Sequence, residues 1–151
     1  MLIVGVIALG LSIWTVKPFV DKWRAERLVD ELCRVDGGVK VYEVVEVPPA
    51  ASGKGKPMDV PFKRFRKKGD EFYSVMTVKD IRGHSGSSDV SALTVYRTEI
   101  GIYRAKDDKL LGTAVGYARR GGDPFWRFHP SSYRCPENQN VTNSVLVEKK
   151  R

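Results

Sequence analysis

The stretch ALTVYRTEIGIYRAKDDKLLGTAVGYAR, residues 92–119, decides the fold. Ala92 to Arg104 is rich in β-branched and aromatic residues and reads as a long strand. Its apolar phase switches between Val95 and Ile100, which predicts a bulge. Lys106-Asp107-Asp108-Lys109 makes a hairpin turn, and Leu110 to Arg119 returns as a second strand. On that second strand Gly112, Ala114, Gly116 and Ala118 share one face. Leu111, Thr113, Val115 and Tyr117 share the other. A stripe of small side chains lets another element approach closely. A helix over residues 20–34 is expected to fill it, with a groove for a ligand or partner segment as the alternative.

Working outward, three more segments carry strand character. Val39 to Val47 is β-branched and stops at Pro48-Pro49. Glu71 to Lys79 alternates Phe72, Ser74, Met76 and Val78 with Tyr73, Val75 and Thr77. Val141 to Val147 forms a final short strand. Upstream, Ala25, Leu28, Val29, Leu32 and Cys33 recur at helical spacing, and Lys22, Glu26, Arg27 and Asp30 occupy the opposite face. This amphipathic helix should end near Asp36-Gly37-Gly38, where glycine caps cheaply. The whole predicts an α+β fold, with N-terminal helices followed by a mainly antiparallel sheet of about five strands. Residues 21–147 read as a single domain, with a basic tail at 148–151.

Met1 to Val16 contains no charged side chain. As a helix it covers roughly 24 Å, and Phe19 and Val20 extend it beyond a snorkelling Lys17. Residues 1–20 are therefore expected to be a membrane anchor. Pro18 is expected to bend or restart the helix. A cleaved signal peptide fits less well, because no basic n-region and no suitable cleavage site are present. A buried or interfacial helix is the other alternative. Lys17, Lys22, Arg24 and Arg27 pull toward a cytoplasmic domain by the positive-inside rule. The two cysteines pull the other way. Cys33 and Cys135 lie far apart, each beside a turn sequence, and neither belongs to a Cys-x-x-Cys pair. An even count with such flanks reads as one disulfide, formed in an oxidising compartment, with two buried thiols as the alternative. The expectation is a single-pass inner-membrane protein with a periplasmic domain.

Two motif clusters flank the cysteines. Cys33 is followed closely by Asp-Gly-Gly-Val-Lys-Val-Tyr-Glu, and Arg-Arg-Gly-Gly-Asp precedes Pro-Ser-Ser-Tyr-Arg-Cys-Pro near the end. In this respect residues 20–136 resemble a family of small, uncharacterised envelope proteins of proteobacteria and their prophages. The resemblance implies the fold, the bridge and an envelope location, and it implies no activity. The Gly- and Lys-rich loop at 50–68 departs from the common pattern.

Two surfaces are candidates for binding. A disulfide would bring Asp36 to Gly38 near the loop from Arg119 to Cys135. Asp36, Arg119, Arg120, Asp123, Arg127 and His129 would then surround glycine amides suited to an anion. The plainer alternative is that Arg119 pairs with Asp123 or Asp36 and braces a loop. The second surface is the basic loop within residues 48–70. Seven cations stand in residues 54–68 against Asp59 alone, so most of the net charge of +8 lies there. Phe62 and Phe65 interleave with Lys63, Arg64, Arg66, Lys67 and Lys68. Such a run suits an anionic lipid surface or an acidic protein partner. It suits nucleic acid less well, and a solvated loop is the alternative.

Catalytic signals are weak. His84 and His129 stand in separate loops, and no nucleophile elbow, P-loop or paired metal-binding histidines occur. No cofactor and no metal are expected. The chain reads as a membrane-anchored, non-catalytic binding or interaction module of the bacterial envelope. A prophage-encoded protein that blocks or modifies a host function is one alternative, and an enzyme with an unrecognised site is another.

Overall fold

The N-terminal helix, α1 (Leu2–Asp36), runs unbroken through Pro18. The expected restart there does not occur. A computed structural model describes residues 2–48, 60–86, 89, 92–123, 131–137 and 140–149, with side chains from Val16 onward. Among the described residues, no helix is long and apolar enough to cross a membrane. This overturns the expectation of a single-pass inner-membrane protein. From Lys17 onward, Lys17, Asp21, Lys22, Arg24, Glu26 and Arg27 put charge into every turn of α1. A charged side chain at a bilayer centre costs a few kcal/mol or more.

The chain is α+β, with one long N-terminal helix and a mainly antiparallel five-stranded sheet. Its strands are β1 (Gly38–Val41), β3 (Phe72–Arg82), β4 (Thr94–Arg104), β5 (Lys109–Arg120) and β6 (Ser132–Cys135). Two short strands, β2 (Val45–Val47) and β7 (Leu146–Glu148), pair in parallel outside it. The sheet order is β1-β5-β4-β3, and β6 also pairs with β5. One antiparallel register sets Gly38 opposite Val115, and another sets Tyr117 opposite Cys135.

Several sequence expectations change in detail. The predicted strand Val39–Val47 is two strands, because the chain leaves β5 at Tyr42 and Glu43 after both amides donate to Leu111 O. The predicted final strand Val141–Val147 begins instead as a short helix, α2 (Val141–Val145). The Asn140 side chain caps it by accepting from Asn143 N at 3.2 Å. β6 occupies residues read from sequence as loop. α1 ends at Asp36 as expected, and the chain reverses with φ +123° at Gly38.

The residues divide into two compact units. The first comprises residues 1–35, 79–97 and 117–135. Its buried apolar side chains include Ala25, Val29, Cys33, Val95 and Tyr117. Ala25, Val29 and Cys33 recur every four residues, so they form one stripe along α1. The second comprises residues 36–78, 98–116 and 136–151. Its core joins Val47, Phe72, Ile102, Leu111, Ala114, Val141, Val145 and Leu146. Glycine at 112 is required there. A Cβ would stand 2.5 Å from Val145 Cγ2 and 3.0 Å from Lys40 O. The small-residue stripe of β5 is thus filled at Gly112 by α2. α1 instead meets β5 through Arg119, which lies on the opposite parity.

Candidate functional site

Most of the proposed anion cluster lies in the first unit, and Arg119 and Asp123 are already matched there. Arg119 is 2 % exposed. Its Nη2 donates to Glu26 Oε1 at 2.8 Å. Its Nη1 donates to Gly121 O at 2.7 Å, Ser131 O at 3.1 Å and Ser131 Oγ at 2.8 Å. Nε is buried without a hydrogen-bond partner among the described residues. Arg119 therefore braces a loop, but through Glu26 rather than Asp123 or Asp36. Gly121 and Gly122, at φ +73° and +79°, turn the chain tightly after β5. Gly121 N then donates to Ser131 O at 3.0 Å.

Asp123 is bound by three donors. Lys22 Nζ donates at 2.7 Å, Ser131 N at 2.6 Å and Ser131 Oγ at 2.7 Å. Burial alone would raise its carboxyl, but donation from Lys22 and Ser131 outweighs burial and holds it at about 2. Asp36 accepts from Lys40 Nζ at 3.5 Å. Arg120 is exposed, and its carbonyl accepts from Thr94 Oγ1 at 3.4 Å. Arg127 and His129 lie outside the described residues. Lys22 and Glu26, assigned from sequence to the solvent face of α1, point instead to the polar groups that hold this unit. Spacing could have shown it, because residues 22, 26, 29 and 33 share one helical stripe.

The disulfide between Cys33 and Cys135 is present, with 5.9 Å between Cα atoms and a sequence separation of 102. It ties the last turns of α1 to the end of β6. Nearby, Tyr133 donates its hydroxyl to Asp30 Oδ1 at 2.7 Å.

His84 Nδ1 lies 2.9 Å from Asp80 Oδ2, and Ser85 N donates to Asp80 Oδ1 at 3.1 Å. Donation from Ser85, and then from His84, lowers the Asp80 carboxyl. The serine bonds to the carboxylate and not to the imidazole, so no activated nucleophile results. Among the described residues, no three His, Cys, Asp or Glu side chains gather as a metal site.

The second unit holds a more open surface. The basic run does not trail as a loop over Phe62–Lys68. Phe62 makes an isolated parallel bridge to Ser74 of β3, and Ser74 N donates to Pro61 O at 2.8 Å. Lys63–Phe65 then form one 3-10 turn. Asp70 closes the run by accepting from Lys67 N at 2.6 Å. Tyr73 anchors it from below. Lys63 Nζ stands 5.5 Å and Arg66 Cζ 5.4 Å from the Tyr73 ring centroid. Such contacts are worth about 0.5–1 kcal/mol each when exposed. The same ring stacks on Tyr103 at 5.2 Å, and its hydroxyl donates to Asp108 Oδ1 at 2.8 Å. Burial, with Asp108 beside it, pushes the Tyr73 phenol upward, so it stays a neutral donor. Asp108 sits at φ +53° in the β4–β5 turn, a conformation that Asp tolerates.

The cations of this platform face outward. Lys63, Arg64, Arg66, Lys67 and Lys68 are exposed, and none pairs with a carboxylate among the described residues. Beside them opens a groove of about 330 Å³. Phe62, Lys63 and Arg64 form one wall, and Ser74, Val75, Met76 and Val78 form the other. Met76 and Val78 are each 47 % exposed, and Phe65 is 60 % exposed under the Arg64 guanidinium. The basic residues were legible in the sequence. The groove was not, although two apolar residues on one face of a Ser74-Met76-Val78 alternation gave a usable signal.

No family model, curated protein or solved structure matches this chain. The resemblance drawn from its motifs therefore rests on those motifs alone.

Proposed function

We propose that the protein is a non-catalytic binding module that takes an acidic partner on the Phe62–Lys68 platform and the adjoining groove. One observation carries this reading: of five exposed cations without carboxylate partners among the described residues, Lys63 and Arg64 line an apolar groove, and Arg66, Lys67 and Lys68 follow them in the same short run. Cations at a solvated surface gain little from being fixed. Here Tyr73 holds Lys63 and Arg66, and the bridge to Ser74 fixes the start of the run, before any partner arrives, which lowers the ordering cost of association. The apolar wall supplies burial, and the cations supply sign and approach rate. Arg119 and Asp123 do not compete for this role, because each is already paired inside the first unit.

The test uses the full chain and two anionic probes, a glutamate-rich peptide and phosphatidylglycerol vesicles. Replacing Lys63, Arg64, Arg66, Lys67 and Lys68 by Ser should abolish most of the binding. Salt should weaken the parent, because exposed charges are screened over about 8 Å at physiological ionic strength. A second variant, Lys67→Ser with Lys68→Ser, leaves the Tyr73 contacts intact and should weaken binding partially. Equal binding by the parent and both variants overturns the proposal.

A further inference from the structure

We infer that the acidic partner is an extended peptide, which joins the sheet as an added strand along β3 between Ser74 and Val78. This inference rests on the platform being a binding surface, and it names what that surface takes.

β3 is the last strand in the order β1-β5-β4-β3. Its outer edge is used at one point only among the described residues, the bridge between Phe62 and Ser74. There Ser74 N points away from β4 and donates to Pro61 O. A strand residue aims its N–H and C=O to the same side, and the side alternates along the chain. Met76 and Val78 therefore turn their backbone groups to the same outer edge as Ser74. The segment that begins to pair with β3 abandons the edge after one bridge, because Lys63–Phe65 curl into a 3-10 turn. An open edge of this kind is a template for another chain, and natural edges are usually blunted by charge, proline or a bulge. In β3 the positions at this edge are Met76 and Val78, both half-exposed and apolar.

The side chains around that edge choose the occupant. Strand addition draws affinity from the backbone ladder and specificity from pockets for alternate side chains. The groove offers such a pocket, bounded by Phe62, Met76 and Val78, with Lys63 and Arg64 on its wall. At about 330 Å³ it accepts one or two apolar side chains. The unpaired cations beside it accept carboxylates. An anionic lipid or a single-stranded nucleic acid can neutralise the cations, but neither supplies amide groups spaced to continue a β ladder. A peptide alternating Asp or Glu with Val, Ile or Leu supplies all three.

The experiment measures binding of the full chain to a short peptide alternating Glu and Val. Two derivatives carry backbone N-methyl groups, each on one of the two alternating sets of amides. A strand pairs through one of its edges only, so one derivative should lose at least about ten-fold in affinity while the other binds like the parent. Met76→Pro removes the outward N–H without taking a donor from the β4 side, and should weaken the parent peptide comparably. A Glu and Gly peptide of equal charge should bind more weakly than the Glu and Val peptide. Equal binding of both methylated derivatives and the parent overturns strand addition, yet leaves the platform reading intact if the five-Ser variant loses all three. Binding to phosphatidylglycerol vesicles without binding to any peptide also overturns it. Failure of every peptide and of the vesicles overturns both readings.

Discussion

The first unit buries Arg119 and nearly buries Asp123, whereas the second buries Phe72, Ile102, Leu111 and Val145. The first is tied together by directed bonds: Arg119 to Glu26, Lys22 to Asp123, Tyr133 to Asp30, and the bridge from Cys33 to Cys135. The second is held by a contiguous apolar cluster around α2 and β5. Apolar burial is non-directional and tolerates exchange of similar shapes, while a buried ion pair fails when either member leaves. The second unit can therefore carry an exposed cationic platform at its edge without risk to its core. The buried and half-buried charges of the first, Arg119, Asp123, Lys22 and Glu26, are committed to holding α1, the turn after β5 and Ser131.

The sharpest way to break this comparison is to remove the guanidinium. Arg119→Leu keeps bulk and deletes the charge. It leaves Gly121 O and the Glu26 carboxylate without this donor, and Ser131 O with Gly121 N alone of its two. Loss of one member of such a network costs about 3–5 kcal/mol. Urea unfolding of the full chain should show a lowered midpoint of that order, and hydrogen exchange should locate the loosening at α1 and β6. Arg119→Lys should not rescue it, because one ammonium cannot replace a planar fork with several acceptors. A loss below about 1 kcal/mol would mean that the first unit, too, stands on apolar contact.

Legibility from the sequence followed the same division. Period-two alternation and the Asp108 turn marked β3, β4 and β5 within a few residues, because their apolar pattern is local. α2 was missed, since the five residues Val141–Val145 are β-branched in part and only the Asn140 cap makes them helical. β6 was missed because the four residues Ser132–Cys135 are too few for their alternation to stand out beside Pro130 and Pro136, and its partners on β5 fix it. The anchor reading rested on an uncharged run, and the charges from Lys17 onward belong to the same helix. The pairing of Arg119 with Glu26 spans 93 positions, and nothing local announces it. The five basic residues needed no structure, but the docking of Lys63 and Arg66 on Tyr73 did.

The covalent tie offers a second test of the contrast. Cys33→Ser with Cys135→Ser opens a loop of about a hundred residues, and such loops contribute roughly 2–5 kcal/mol when closed. Thermal unfolding should fall accordingly. Mass measurement of unreduced protein should show the two-proton deficit of the bridge, and alkylation before reduction should label neither cysteine. Binding of the glutamate-rich peptide should survive, because Phe62–Lys68 and Ser74–Val78 belong to the second unit. Loss of peptide binding together with the bridge would join the two regions more closely than their separate chemistry implies.

Acid gives the smallest effect and the one most specific to the first unit. Asp123 has an ordinary value of 3.8 and is held at about 2 in the folded protein. The unfolded chain therefore binds this proton more readily than the folded chain does. The contribution to stability is complete above about pH 4 and declines as pH falls through the folded value near 2. A depression of this size corresponds to roughly 2 kcal/mol at neutral pH, shared between the Lys22 and Ser131 contacts. Asp123→Asn keeps the shape, loses the ion pair and cannot titrate. Stability of the parent and the variant, measured by urea unfolding between pH 7 and pH 2, should differ by that amount at neutral pH and converge in acid. Other depressed carboxylates, such as Glu43 between Lys109 and Arg104, titrate in both proteins and cancel in the difference. Parallel curves over the whole range would show that Lys22 and Ser131 hold Asp123 no more tightly than water does, and the polar ties of the first unit would then reduce to Arg119, the Tyr133–Asp30 bond and the disulfide.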